Sequence, residues 1–185
     1  MTQDLSLHTV SDEYVRYLSE FDKKVTSNKE DNRNFERKYL GTVLSINDID
    51  YFVPLASPKN SDYMADKDGN KTIRKSIVPI IRMAHKERDG IFTLIGTIKF
   101  SNMIPVMGSE VKQYDIANEP DSAYRDLVYK QWAFIRSHKS EIYKNAQTIY
   151  SQKTKNYKNI GYLDNTVDFL LLEQKAKDFV PKAGE

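Results

Sequence analysis

Between residues 11 and 22, Tyr14, Val15, Leu18 and Phe21 recur at helical spacing. Ser11 stands ahead of Asp12 and Glu13, a polar cap followed by acids at the positive end of a helix dipole. A helix over 11–22 is predicted. Residues 26–34, TSNKEDNRN, are polar and turn-rich and read as a loop. The period then shortens to two. Residues 39–46 (YLGTVLSI) and 50–55 (DYFVPL) read as a hairpin pair. Residues 60–71 are polar, contain Asp-Gly-Asn, and read as a lid or an insertion. Strands are predicted at 75–83, 91–100 and 103–106, with Arg88-Asp89-Gly90 as the turn between the first two.

Pro54, Pro79 and Pro105 lie within or beside these strands, and Gly96 sits inside one. Proline lacks an amide proton, and glycine in a strand marks a bulge or bend. Together they predict a highly curved, antiparallel, barrel-like sheet. The pattern then turns helical. Pro120-Asp121-Ser122 opens a helix carrying Tyr124, Leu127, Val128, Gln131, Phe134 and Ile135, ending near His138. A second helix is predicted over 139–155 and a third over 166–179. Helix, strands, then helices indicates α+β. The length of 185 residues fits one domain spanning 1–185.

Composition narrows the chemistry more than the fold. The chain has no cysteine, so disulfide frameworks, thiolate metal sites and cysteine nucleophiles are excluded. Lys plus Arg number 28 against 26 Asp plus Glu, a balance that lacks the strongly basic signature of a general DNA-binding protein. There are 12 tyrosines, whose rings pack or stack while the hydroxyl stays available. No apolar run approaches the roughly 20 residues of a membrane span. Residues 1–10 lack the pattern of a signal peptide, which makes the cytoplasm the expected location.

His8, His85 and His138 share no metal-ligand spacing and are expected to face solvent or cap helices. Asp62, Asp66 and Asp68 precede Gly69, but the ligand positions of a calcium loop are out of frame. No glycine-rich phosphate loop and no Gly-x-Ser-x-Gly elbow is present. No metal and no cofactor is therefore expected. What remains is Ser57-Pro58-Lys59, directly after a strand. Proline sets a bend, lysine offers a cation and proton donor, and serine can hydrogen-bond a phosphoryl oxygen. Such a pair suits RNA cleavage in which the RNA's own 2′-OH is the nucleophile. By itself the triplet reads first as a turn.

Its context is more specific. SDEYVRYLSEFDKKV at 11–25, KYLGTVLSI at 38–46, YFVPLASPK at 51–59, IPV at 104–106, YRDLVYKQWAFIR at 124–136 and FLLLEQKAKDF at 169–179 follow in one order. This set resembles the ToxN/AbiQ family, the endoribonucleases of type III toxin–antitoxin systems. The resemblance covers most of residues 10–180 and implies a highly curved antiparallel sheet with surrounding helices, similar to the Kid/MazF toxins. It implies metal-independent cleavage leaving a 2′,3′-cyclic phosphate. It also implies a repetitive pseudoknot antitoxin RNA as partner, assembly of several toxin protomers with that RNA, and a role in abortive infection by phage.

Carried over residue by residue, the resemblance assigns Ser57 and Lys59 to the active site and places Tyr14 as a residue lining it. Arg37 falls where a basic residue contacts RNA. Ala56 departs from the hydroxyl residue expected before Ser57. Ser57 would orient the 2′-OH or the phosphate. Lys59 would stabilise charge on the phosphorane or protonate the leaving 5′ oxygen. Separately, the cluster Lys23, Lys24, Lys29, Arg33, Arg37 and Lys38 reads as a phosphate-contacting surface. Lys130 and Arg136 are further candidates on the 124–136 helix, where Gln131 falls near the apolar side. The competing reading is a noncatalytic RNA-binding module.

Overall fold

The computed structural model describes residues 4–28 and 35–181. Strand β1 (Ser6–Val10) leads into helix α1 (Asp12–Phe21). Ser11 caps this helix by accepting the Tyr14 N–H at 3.2 Å. Tyr14, Val15 and Leu18 are its buried face, as the spacing requires, while Phe21 at its end is exposed. Strands β2 (Tyr39–Ile46) and β3 (Ile49–Ala56) form the hairpin, with a register shift between Leu40 and Leu44. A small hairpin follows, β4 (Tyr63–Ala65) and β5 (Lys71–Ile73). The expected polar loop at 60–71 is thus folded. Asp66 Oδ1 accepts the N–H groups of both Asp68 and Asn70, and Gly69 takes a positive φ.

Strand β6 (Ile80–Lys86) begins only after Pro79, five residues later than the pattern predicts, and pairs with β7 (Phe92–Lys99). Short strands β8 (Ile104–Val106) and β9 (Val111–Gln113) complete the strands. Seven strands form one antiparallel sheet in the order β6-β7-β3-β2-β1-β9, with β8 also on β3. Among the described residues the end strands β6 and β9 do not pair, so the sheet is open. This corrects the expectation of a barrel-like core.

Pro54 shows how β3 tolerates proline inside a large sheet. The Leu55 N–H points to β2, donating to the Lys38 carbonyl at 2.9 Å. Successive amides alternate in direction, so Pro54 turns its nitrogen to the other side. There β8 has already ended, at Phe52, and β7 begins only at Leu55. No ladder bond is lost.

Helices α2 (Ser122–Ser137), α3 (Lys139–Thr154) and α4 (Phe169–Asp178) cover the sheet. Asp121 and Asp168 cap α2 and α4, accepting the N–H groups of Tyr124 and Leu171. His138 joins α2 to α3. Its Nδ1 lies 2.8 Å from the Phe134 carbonyl and its ring stacks on Phe134, a capping role. α2 packs on β6 and β7, α3 on β2, and α4 on β8 and α1. The core joins Leu40, Val53 and Ile98 of the sheet to Ile135, Ile142 and Leu172 of the helices. Each such side chain, fully buried, contributes about 1.5–3 kcal/mol of transfer free energy.

Candidate active site

Strand β3 runs buried through Leu55 and emerges at Ala56; Ser57, Pro58 and Lys59 are exposed. The segment is tied at both ends. The Leu55 carbonyl accepts Arg37 Nη1 at 3.1 Å. The Lys59 N–H donates to Asp62 Oδ2 at 2.8 Å, at the start of a 3-10 turn over Asn60–Asp62. The Ser57 hydroxyl and the Lys59 ammonium make no hydrogen bond or ion pair among the described residues.

Leu55, Ala56, Ser57 and Pro58 form one wall of a cleft of about 260 Å³. Tyr124, Leu127 and Gln131 of α2 form the opposite wall, with Ile95 of β7 beneath and Phe35 and Lys38 at one side. The Phe35 ring stacks on Tyr124 with centroids 3.9 Å apart and planes 2° from parallel. Lys38 is 7% exposed. Its ammonium sits 4.2 Å from the centroid of the Tyr114 ring and 3.9 Å from the Glu36 carboxylate. Burial pulls its pKa below the ordinary lysine value, against the opposing pull of Glu36 and Glu119.

Gln131 is buried and donates from Nε2 to the Ile95 carbonyl at 2.7 Å. Its Oε1 has no protein partner among the described residues. Gly96 makes this packing possible. A Cβ there would lie 2.7 Å from Gln131 Nε2, 2.8 Å from Met83 Cε and 3.3 Å from the Ala56 carbonyl. The β6–β7 register also shifts at this point, which the sequence anticipates as a bulge. A free hydroxyl, a cation, an amide acceptor and stacked rings suit an anionic ligand that carries bases.

Among the described residues, Ser57 and Lys38 are the expected site residues that line the cleft; the others lie elsewhere. Tyr14 is fully buried, and its hydroxyl donates to the Pro105 carbonyl at 2.6 Å. It is not among the cleft-lining residues, because α1 turns that face onto β8 and the Phe179 ring. Arg37 is 1% exposed and donates to the carbonyls of Ser27 and Leu55. It is a buried clamp, which corrects its reading as a surface cation. Lys38 does line the cleft. Lys23 and Lys24 are exposed beyond the end of α1, with the Lys24 carbonyl bound by Asn102, and neither lines the cleft. Lys29 and Arg33 lie outside the described residues. Lys130 is paired with Glu87 at 3.4 Å and Arg136 is exposed. Phe35, Tyr124, Leu127, Ile95 and Gln131 were not singled out as site residues by sequence. Only Gln131 left a signal, a polar residue within an apolar stripe.

Among the described residues, no group of three or more His, Asp or Glu could hold a metal ion, and no helix is long and apolar enough to cross a membrane.

The family model of toxin ToxN of type III toxin–antitoxin systems matches residues 6–177. The chain belongs to the ToxN family. It is 29% identical over 182 residues to endoribonuclease ToxN of Pectobacterium atrosepticum, covering 98% of this chain and 97% of the relative. A solved structure from bacterial type III toxin–antitoxin systems concerns selective toxin inhibition by a non-coding RNA pseudoknot. It aligns with a TM-score of 0.75 at 28% identity over 95% of this chain and 98% of the other. The structure of AbiQ, a lactococcal anti-phage endoribonuclease of the type III class, aligns with a TM-score of 0.74 at 29% identity over 95% and 97%. In this ToxN-family chain Ser57 and Pro58 line the cleft, and Lys59 follows them as an exposed residue outside the lining.

Proposed function

We propose that this ToxN-family protein is an endoribonuclease that cleaves RNA without a metal ion, leaving a 2′,3′-cyclic phosphate and a 5′-hydroxyl. The observation that supports the reading is the Ser57 hydroxyl, unbonded among the described residues, on the wall of a cleft that Lys38 also lines, with the exposed Lys59 two residues further along the chain. The 2′ oxygen attacks phosphorus, the bond to the 5′ oxygen breaks, and the 2′ proton leaves as the 5′ oxygen gains one. Ser57 orients the 2′-OH or a phosphoryl oxygen and forms no covalent bond. Lys59 stabilises the extra negative charge of the phosphorane or delivers the proton to the 5′ oxygen. Lys38 adds fixed positive charge deeper in the cleft, where water screens it less.

The partner inferred from the ToxN-family relatives is a pseudoknot antitoxin RNA that occupies the same cleft and assembles with several toxin protomers. The biological setting inferred from AbiQ is defence against phage, acting on RNA in the cytoplasm. The test is incubation of the purified protein with cellular RNA in excess EDTA. Discrete fragments ending in cyclic phosphate, absent with Ser57→Ala and Lys59→Ala, are expected. Retention of RNA without cleavage would establish a binding module instead.

A further inference from the structure

We propose that Asp62 and Arg82 form a positioning pair that holds Lys59 in its working place. The proposal rests on the reading of Lys59 as a group that acts on the phosphate. Asp62 is 4% exposed, although it follows an exposed loop. Its Oδ2 accepts the Lys59 N–H at 2.8 Å, and its own N–H donates to the Lys59 carbonyl at 2.9 Å. One residue therefore fixes both backbone polar groups of Lys59. Pro58 has no N–H, so the Lys59 amide is the first after Ser57 that can be gripped.

The second carboxylate oxygen reaches the sheet. Asp62 Oδ1 accepts Arg82 Nε at 3.0 Å, with the two side chains 5% and 10% exposed. Arg82 belongs to β6, and its Nη1 donates to the Lys75 carbonyl at 2.8 Å. The Asp62 carbonyl accepts the Arg74 N–H at 2.9 Å. A continuous path thus runs from the edge strand through Arg82 and Asp62 to the Lys59 backbone. A buried ion pair gains little stability over apolar packing of the same shape, because both charges lose their water. A carboxylate divided between an arginine and the Lys59 amide does something apolar packing cannot: it sets the origin of the lysine side chain. Reaction rates depend steeply on such placement.

The experiment is a mutant cycle with purified protein and a synthetic RNA carrying a site that the parent protein cuts. Asp62→Asn keeps an acceptor for one neighbour but turns an NH2 toward the other. The expected result is a fall in single-turnover rate on the order of 10²-fold. Affinity for the same RNA with a 2′-deoxy linkage at the cut site is expected to be unchanged. In a Lys59→Ala background, Asp62→Asn adds no further loss, because the group it positions is gone. Full activity of Asp62→Asn beside an inactive Lys59→Ala overturns the pair. So does an equal further loss in the Lys59→Ala background, or a loss confined to affinity. Full activity of Lys59→Ala overturns the reading of Lys59 instead. If Asp62→Asn does not fold, Arg82→Lys, which gives up the guanidinium fork, is read through the same cycle with the same outcomes.

Discussion

The Tyr14 hydroxyl donates to the Pro105 carbonyl at 2.6 Å, joining α1 to β8 across the core. Burial drives the Tyr14 pKa upward, so the hydroxyl keeps its proton. Tyr14→Phe is expected to lower stability by about 1 kcal/mol and to leave the cleavage rate of the folded protein unchanged. Urea unfolding and a cleavage assay check the two parts. A collapsed rate at unchanged stability would put Tyr14 back into the chemistry.

Glu173 gathers two tyrosines. The hydroxyls of Tyr51 and Tyr150 both donate to its Oε1 at 2.7 Å. Burial first, then the bond to Glu173, pushes the Tyr51 pKa up. Glu173→Ala leaves the fully buried Tyr51 hydroxyl without this acceptor and is expected to cost about 1–3 kcal/mol. Glu173→Gln retains an acceptor and is expected to cost less. Equal unfolding midpoints for the two variants would refute this account.

His8 gives the fold an acid-sensitive element. Its ring packs edge-on against Phe52, and burial pulls its pKa below 6.5, partly offset by the bond to the Ser6 carbonyl. The unfolded chain therefore takes up this proton at a higher pH than the folded chain does. The stability is fully present above pH 6.5 and is lost as pH falls toward the folded pKa. Unfolding titrations of wild type and His8→Gln across this window check it. The variant is expected to show the shallower decline.

Gly96→Ala tests the cleft floor. The added methyl meets Gln131 and Met83, and the overpacking is expected to cost about 1–3 kcal/mol. Cleavage is also expected to slow, because Gln131 is displaced from its bond to Ile95. Full cleavage by a stably folded Gly96→Ala would show that the Gln131 position is immaterial.

Lys38 and the pair Lys23 and Lys24 make a contrast. Lys38→Ala is expected to weaken RNA binding and to reduce the slope of log affinity against log salt by about 0.7. Lys23→Ala and Lys24→Ala lie off the cleft and are expected to leave that slope unchanged. Titrations at several salt concentrations decide it. Equal slopes for all three variants would remove Lys38 from the interface.

The parts of the fold legible in the sequence are those whose signals are local. The Ser11 cap, the Tyr14–Leu18 spacing, the alternation over Tyr39–Ile46 and the Asp121 cap each specify an element by neighbours in the chain. Strands β1, β4, β5 and β9 went unpredicted. All are short, and partners distant in the chain define β1 and β9. The same distinction divides the site. Ser57-Pro58-Lys59 is a contiguous motif and could be read. Arg37 beside a polar loop looks like a surface cation. Its burial depends on carbonyls at Ser27 and Leu55, positions that local sequence does not bring together. Asp62 and Arg82 are 20 residues apart and reveal nothing until β6 folds back.

The wall that α2 contributes to the cleft has a consequence for synthesis. Tyr124, Leu127 and Gln131 all lie beyond residue 120, and Gln131 reaches back 36 positions to the Ile95 carbonyl. A ribosome that has made the Ser-Pro-Lys segment has built only one side of the cleft. The cleft is therefore complete only once α2, in the last third of the chain, has been made and has packed onto β7.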